Sequence, residues 1–188
     1  MGSIVRQYTT QEVGGFLKDS EGAQMPYEQG QGHAEGLHEL SSAGKRRKNT
    51  TVADLRQRIV DEVKETVGAF DGCQIEAVTF ALNSNAGQHA LAYLDPSTVW
   101  YVFTTINVAT QNFSMKEAVG EVFRVGSVAV AASCSRVRDV RVKRVAMKLI
   151  KNGEKLHIRT AYPMSAEGIS TCSVFYRGGG QDQIDLPA

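Results

Sequence analysis

The segment from Arg136 to Pro163, RVRDVRVKRVAMKLIKNGEKLHIRTAYP, limits the possible folds more than any other part of the chain. Val140 and Val142 fall on one face of an extended backbone. Val145, Met147 and Leu149 keep period two in the opposite phase, so one long basic strand interrupted by a bulge is expected. Lys151-Asn152-Gly153-Glu154 supplies a turn, and KLHIRTAYP returns as the partner strand, stopped by Pro163. Upstream, TVWYVFTTINVAT is rich in β-branched and aromatic residues and reads as a further strand. FSMKEAVGEVFRVGS reads equally as a short helix or as a strand with glycine turns.

The N-terminal half follows a different period. Leu55, Ile59, Val63 and Val67 recur every four residues and predict a helix from Thr51 to about Gly68. Thr51 with Asp54 three residues on can cap its first turn, and Gly68 is a natural terminator. Asp71 can cap a second helix over about 73–84, which carries Ile75, Val78 and Leu82, and a third is expected over about 86–94. Helices followed by a meander of strands predict an α+β fold, with N-terminal helices packed on a twisted antiparallel β-sheet. Residues 1–29 lack periodicity and read as a linker or leading arm. Residues 30–176 form the expected domain, and 177–188, ending GGGQDQIDLPA, read as a flexible tail.

No apolar stretch approaches the roughly 20 residues of a membrane helix. The opening MGSIVRQYTTQEVGGFL lacks a basic region leading into an apolar run, so no secretory signal is expected and delivery would need another device or a larger polypeptide. Cys73, Cys134 and Cys172 show no C-x-x-C spacing, which argues against a zinc or redox motif and for small apolar packing residues. The P-loop, G-x-G-x-x-G, H-E-x-x-H and G-x-S-x-G patterns are also missing from the sequence. No cofactor or metal is expected.

The net charge of +1 conceals two basic blocks. Arg124 to Arg159 holds ten basic residues against Asp139 and Glu154, and Lys45 to Arg58 holds six against Asp54. Such blocks on a near-neutral chain fit either a solvated strand face or a localised polyanion site. For RNA the contact candidates are Lys45, Arg46, Arg47, Lys48, Arg56, Arg141, Lys143, Arg144 and Arg159.

Metal-free RNA cleavage needs a base for the 2′-hydroxyl proton, an acid for the leaving 5′-oxygen, and donors for the charge on phosphorus. Histidine suits the proton work and arginine the phosphate. The sequence offers His33 and His38 ahead of the first long helix, Arg56 and Arg58 within it, and Thr160 and Tyr162 on the last strong strand. Strand alternation puts Leu156, Ile158, Thr160 and Tyr162 on one face, apolar at its start and hydroxylated at its end.

Gly32-His33 with His38, Leu55 to Ile59 with Arg58, Gly120 to Ser127, and Ile158 to Pro163 follow one another in an order that resembles the RNase A-like toxin domain. That domain ends bacterial contact-dependent inhibition and other polymorphic toxins, within a wider group of small nucleases that includes barnase, colicin and RelE types. The resemblance spans about residues 31–164. It departs from the family in the basic loop inserted between His38 and Arg58 and in His38-Glu39-Leu40, where H-V-G is usual. It implies His38 as general base or acid, Arg58 as phosphate clamp (with Arg56 the rival), and Thr160 and Tyr162 as groups that bind or polarise phosphate. It also implies RNA, often tRNA, as the substrate, a cyclic phosphate product, and a cognate immunity protein as partner. The toxin would act in the cytoplasm of a target cell. His33 and His157 are further candidates for proton transfer, as an alternative acid–base pair. The reading from another class is a non-catalytic RNA-binding or structural protein, nucleocapsid- or matrix-like, that uses the basic strands for phosphate contact alone.

Overall fold

The computed structural model describes residues 6–26, 31–40 and 50–188. Its order is α1 (Thr10–Ser20), α2 (Ala34–His38), α3 (Val52–Asp61), β1 (Thr66–Phe70), α4 (Gln74–Asn83), α5 (Asn85–Ala92), β2 (Val99–Asn107), β3 (Ser114–Val125), β4 (Val128–Arg141), β5 (Arg144–Asn152), β6 (Lys155–Met164), β7 (Thr171–Tyr176) and β8 (Gln181–Asp185). The fold is α+β. The strands form two antiparallel sheets rather than one: β1-β3-β4, and β6-β5-β2-β7-β8. None of the described helices is long and apolar enough to cross a membrane.

The larger sheet carries the main core. Val102 and Ile106 of β2, Met147 and Leu149 of β5, Ile158 of β6 and Val174 of β7 bury one face against Val78, Ala81 and Leu82 of α4 and Ala90 and Leu91 of α5. Each fully buried aliphatic side chain stabilises the fold by about 1.5–3 kcal/mol. A second cluster places Leu55 and Ile59 of α3 on Val67, Ala69 and Ala118 of the smaller sheet.

The described segment 6–26 and the segment 177–188 both join these layers. The segment expected to be a linker contains α1, capped reciprocally by Thr9 and Glu12, with Val13 and Leu17 fully buried. Gly14 and Gly15 dilute the sequence pattern there, so two apolar residues four apart carry the packing. The expected tail contains β8, paired with β7, and Leu186 N–H donates to the Ser170 carbonyl.

Three further expectations shift. The helix capped by Thr51 and Asp54 stops at Asp61; Val63 has φ of 51°, and Thr66 to Phe70 pair with β3 instead. Val67 and Gly68 are therefore strand residues, as the β-branched Thr66 and Val67 suit. Asp71 does not cap α4, because the Glu39 carboxylate arrives from the end of α2 and accepts from Gly72 N–H (2.6 Å) and Gln74 N–H (3.0 Å). The long basic strand is two strands, β4 and β5. The phase change at Val142–Lys143 marks the chain leaving one sheet for the other, held by Val142 N–H to Phe113 and Lys143 N–H to Met164.

β6 holds the feature that positions the site. Lys148 pairs with Thr160, but Leu149 pairs with Ile158, so Arg159 is an extra residue in a β-bulge. The bulge reverses the phase. Leu156 and Ile158 face the core, whereas Thr160 and Tyr162 face the opposite side with their partners Lys148 and Ala146. The single face expected for all four is thus split. Pro163 does not end the strand: it pairs with Val145 on the edge of the sheet, where a missing N–H is tolerated.

Candidate active site

The reversed end of β6 opens on a cleft of about 500 Å³ between the two sheets. His33, His38, Arg58, Thr160 and Tyr162 all line it, together with Glu62, Lys64, Thr66, Gly68, Met115, Glu117 and Ser165. Residues far apart in sequence meet here for identifiable local reasons. The Gln74 side chain donates to the carbonyls of Ala34 (2.8 Å) and Ala161 (3.2 Å), stapling α2 to β6. The carbonyl of the bulge residue, Arg159, accepts from His33 N–H at 2.9 Å. Gly32 has no substitute at its position: a Cβ there would lie 2.0 Å from the Ser20 carbonyl oxygen. The Gly-His dipeptide is therefore a packing requirement that delivers His33 to the cleft.

The two histidines sit 6.0 Å apart, ring centre to ring centre, and His38 lies 5.2 Å from the Tyr162 ring. Burial pushes the His38 imidazole down to about 3; Arg58, His33 and Lys64 add to the effect, and a hydrogen bond with the Gly68 backbone opposes it. His38 is therefore neutral near pH 7. Its Nδ1 is buried without a hydrogen-bond partner among the described residues, and so is Thr160 Oγ1. A buried polar atom left unpaired costs about 1–3 kcal/mol. Two such atoms on one cleft mark a place where a ligand's polar groups would be welcome. Burial raises the Tyr162 hydroxyl against the pull of Arg144, so it stays a donor.

Arg58 Nε donates to Glu62 (2.9 Å) and Nη1 to the Leu37 carbonyl (3.1 Å), which leaves Nη2 without a hydrogen bond among the described residues. Lys64 joins the same carboxylate at 2.5 Å. Burial would raise Glu62, but the bonds from Arg58 and Lys64 prevail and hold it at about 2. Arg56, the rival clamp, is exposed and does not line the cleft. Glu117 is a cleft residue that sequence reasoning missed. It is 3% exposed and grips Arg138 Nε (2.8 Å) and Nη2 (2.6 Å), while the Ser165 hydroxyl donates to its other oxygen. Its placement in a strand run read two ways gave no signal.

Other candidates lie elsewhere. His157 is half-buried beside Ile150 at the far end of β6, lowered by its own burial, and is not brought to His33. Lys45, Arg46, Arg47 and Lys48 fall outside the described residues. Arg141 is exposed at the end of β4. Lys143 lies 3.3 Å from Glu167, and Arg144 donates to the Thr105 hydroxyl at 2.9 Å. Arg159 is the half-buried bulge residue and does not line the cleft. Cys172 is a core residue whose thiol burial pushes to about 12, and Cys73 and Cys134 are half-buried. Among the described residues no group of three or more His, Cys, Asp or Glu side chains is placed to hold a metal ion.

Comparison with protein-family models, with curated proteins and with solved structures finds no match.

Proposed function

We propose that this chain is a metal-independent endoribonuclease of toxin type, with its active site in the cleft between the two sheets. The observation that carries the reading is the convergence of His33, His38, Arg58, Thr160 and Tyr162 on one cleft, from α2 and the residue before it, α3 and β6, with two buried polar atoms unpaired among the described residues. Four of them, His38, Arg58, Thr160 and Tyr162, are the residues to which the resemblance to RNase A-like toxin domains gives a role.

Neutral His38, through Nδ1, accepts the proton of the substrate's 2′-hydroxyl. The 2′-oxygen forms its bond to phosphorus as the bond to the 5′-oxygen breaks. His33, across the cleft, gives the leaving oxygen a proton, so the products are a 2′,3′-cyclic phosphate and a 5′-hydroxyl. Thr160, Tyr162 and Arg58 Nη2 donate to the phosphate oxygens and stabilise the charge that develops there. An imidazole held at about 3 is a weak base, but an anionic phosphodiester beside it favours the protonated ring and raises it.

The natural substrate is tRNA or another cellular RNA. The setting is interbacterial competition, with delivery into the target cell by a larger effector and restraint by a cognate immunity protein. The test is cleavage of total RNA in EDTA by wild type, His38→Ala and Tyr162→Phe. Loss in both variants with the fold retained supports the site, and undiminished cleavage by both removes it. The non-catalytic RNA-binding reading predicts instead a protein that retards RNA in a gel and never shortens it.

A further inference from the structure

Beyond the cleft, the same outward face of the five-stranded sheet continues as a surface of aromatic rings and cations. Cross-strand pairing puts Ser173, Phe103, Lys148 and Thr160 in one row across β7, β2, β5 and β6, and Phe175 beside Tyr101 in the next. The rings form a ladder leading away from the cleft. His38 lies 5.2 Å from Tyr162, Tyr162 lies 6.4 Å from Phe103, and Tyr101 stacks on Phe175 at 4.3 Å. Lys148 Nζ sits 3.7 Å from the centre of the Tyr101 ring. β2, β5, β6 and β7 contain no Asp or Glu at all. Tyr101, Phe103 and Phe175 are half-buried, and α4 and α5 pack on the opposite face.

An ordinary sheet surface mixes both signs of charge; on these four strands there is no carboxylate, the sheet's acidic residues, Asp182 and Asp185, lying on the edge strand β8, and the face offers flat apolar rings beside Lys148 and Arg144. Unpaired bases stack on such rings whatever their identity, while the cations meet the backbone phosphates. A base-paired helix keeps its bases inside and cannot use them. We propose that this face is a binding track for single-stranded RNA, taking the unpaired nucleotides that flank the bond cut in the cleft. The track makes the enzyme selective for loops and single strands. This inference rests on the ribonuclease reading for the identity of the ligand, yet the surface can be tested without any cleavage.

The experiment uses the full chain and two probes. One is a non-cleavable 2′-O-methyl 12-mer, supplied as a single strand or annealed to its complement, with binding followed by anisotropy and by emission of the single Trp100, whose ring lies 5.7 Å from Tyr101. The other is a cleavable dinucleotide, too short to reach the track. The variants Phe103→Leu and Phe175→Leu keep apolar volume and lie outside the cleft lining. Each is expected to weaken single-strand binding roughly tenfold, in line with the loss of one stacked base. Trp100 emission should respond to the single strand and not the duplex, and any dinucleotide cleavage should stay within twofold. Equal affinity for duplex and single strand, or unchanged binding by both variants, would overturn the track. If the wild type binds the 2′-O-methyl single strand but cleaves neither the dinucleotide nor an unmodified RNA of the same sequence, the ribonuclease reading fails and the track survives.

Discussion

The two sheets use the same residue types to opposite ends. In the larger sheet Val102, Met147, Leu149, Ile158 and Val174 are fully buried, and the polar and aromatic residues between them face outward. In the smaller sheet, the far half of the β3–β4 hairpin leaves Phe123, Val125 and Val128 more than half exposed. Alternation therefore identifies a buried face only where a second layer exists to cover it. Stability resides in the larger sheet and its helices, whereas the candidate chemistry sits at the margin where the sheets meet and each supplies one wall.

The harshest way to break this contrast is to remove the bulge. Deleting Arg159 returns Thr160 and Tyr162 to the phase of Leu156 and Ile158, and any RNA cleavage should fall by at least about a thousandfold as hydroxyls turn toward the core. Cleavage retained by that deletion would show that the reversed face does not matter.

A second break is chemical. Folded His38 holds its proton less tightly than unfolded histidine, so from about pH 6.5 down to about 3 the unfolded chain binds more protons. The stability from keeping His38 neutral is complete above pH 6.5 and drains away as the pH falls toward 3. Its upper limit is on the order of 5 kcal/mol. Urea unfolding at pH 7.0 and 4.5 should show wild type losing more than His38→Gln, and parallel losses would refute the buried-imidazole account.

Next in size comes packing. Leu149→Ala should cost about 2–5 kcal/mol in the same assay. Arg58→Ala should raise KM for RNA by roughly tenfold, and Arg56→Ala should leave it within twofold, which sharpens the contrast between a cleft arginine and an exposed one on the same helix. The smallest effect is expected at the hairpin: Val125→Ser and Val128→Ser should move stability by no more than about 0.5 kcal/mol.

How much of this was legible in the sequence depended on how local the cause was. The Thr51–Asp54 cap, the turn at Gly153 and the β character of TVWYVFTTINVAT rest on nearest neighbours, and all three stand in the structure. The end of α3 was not legible, because Val67 continues a helical spacing while its backbone pairs with β3, a partner some fifty residues on. The phase change at Val142 looked like a bulge, although the chain was crossing between sheets. The true bulge at Arg159 left no mark, since LHIRTAYP alternates smoothly on paper. Among the site residues, His33, His38, Arg58, Thr160 and Tyr162 were singled out from sequence order and share one cleft. Glu117 and Glu62 were not, because their importance lies in the arginines and lysine they hold.

The central claim is that this cleft cuts RNA through His38 and Tyr162. The most direct test incubates wild type, His38→Ala, His38→Gln and Tyr162→Phe with a defined single-stranded RNA in EDTA and maps the ends formed. The account predicts 2′,3′-cyclic phosphate ends from wild type, a loss of at least about a hundredfold in each folded variant, and unchanged circular dichroism. Intact RNA with wild type, or cleavage undiminished in all three variants, would contradict it.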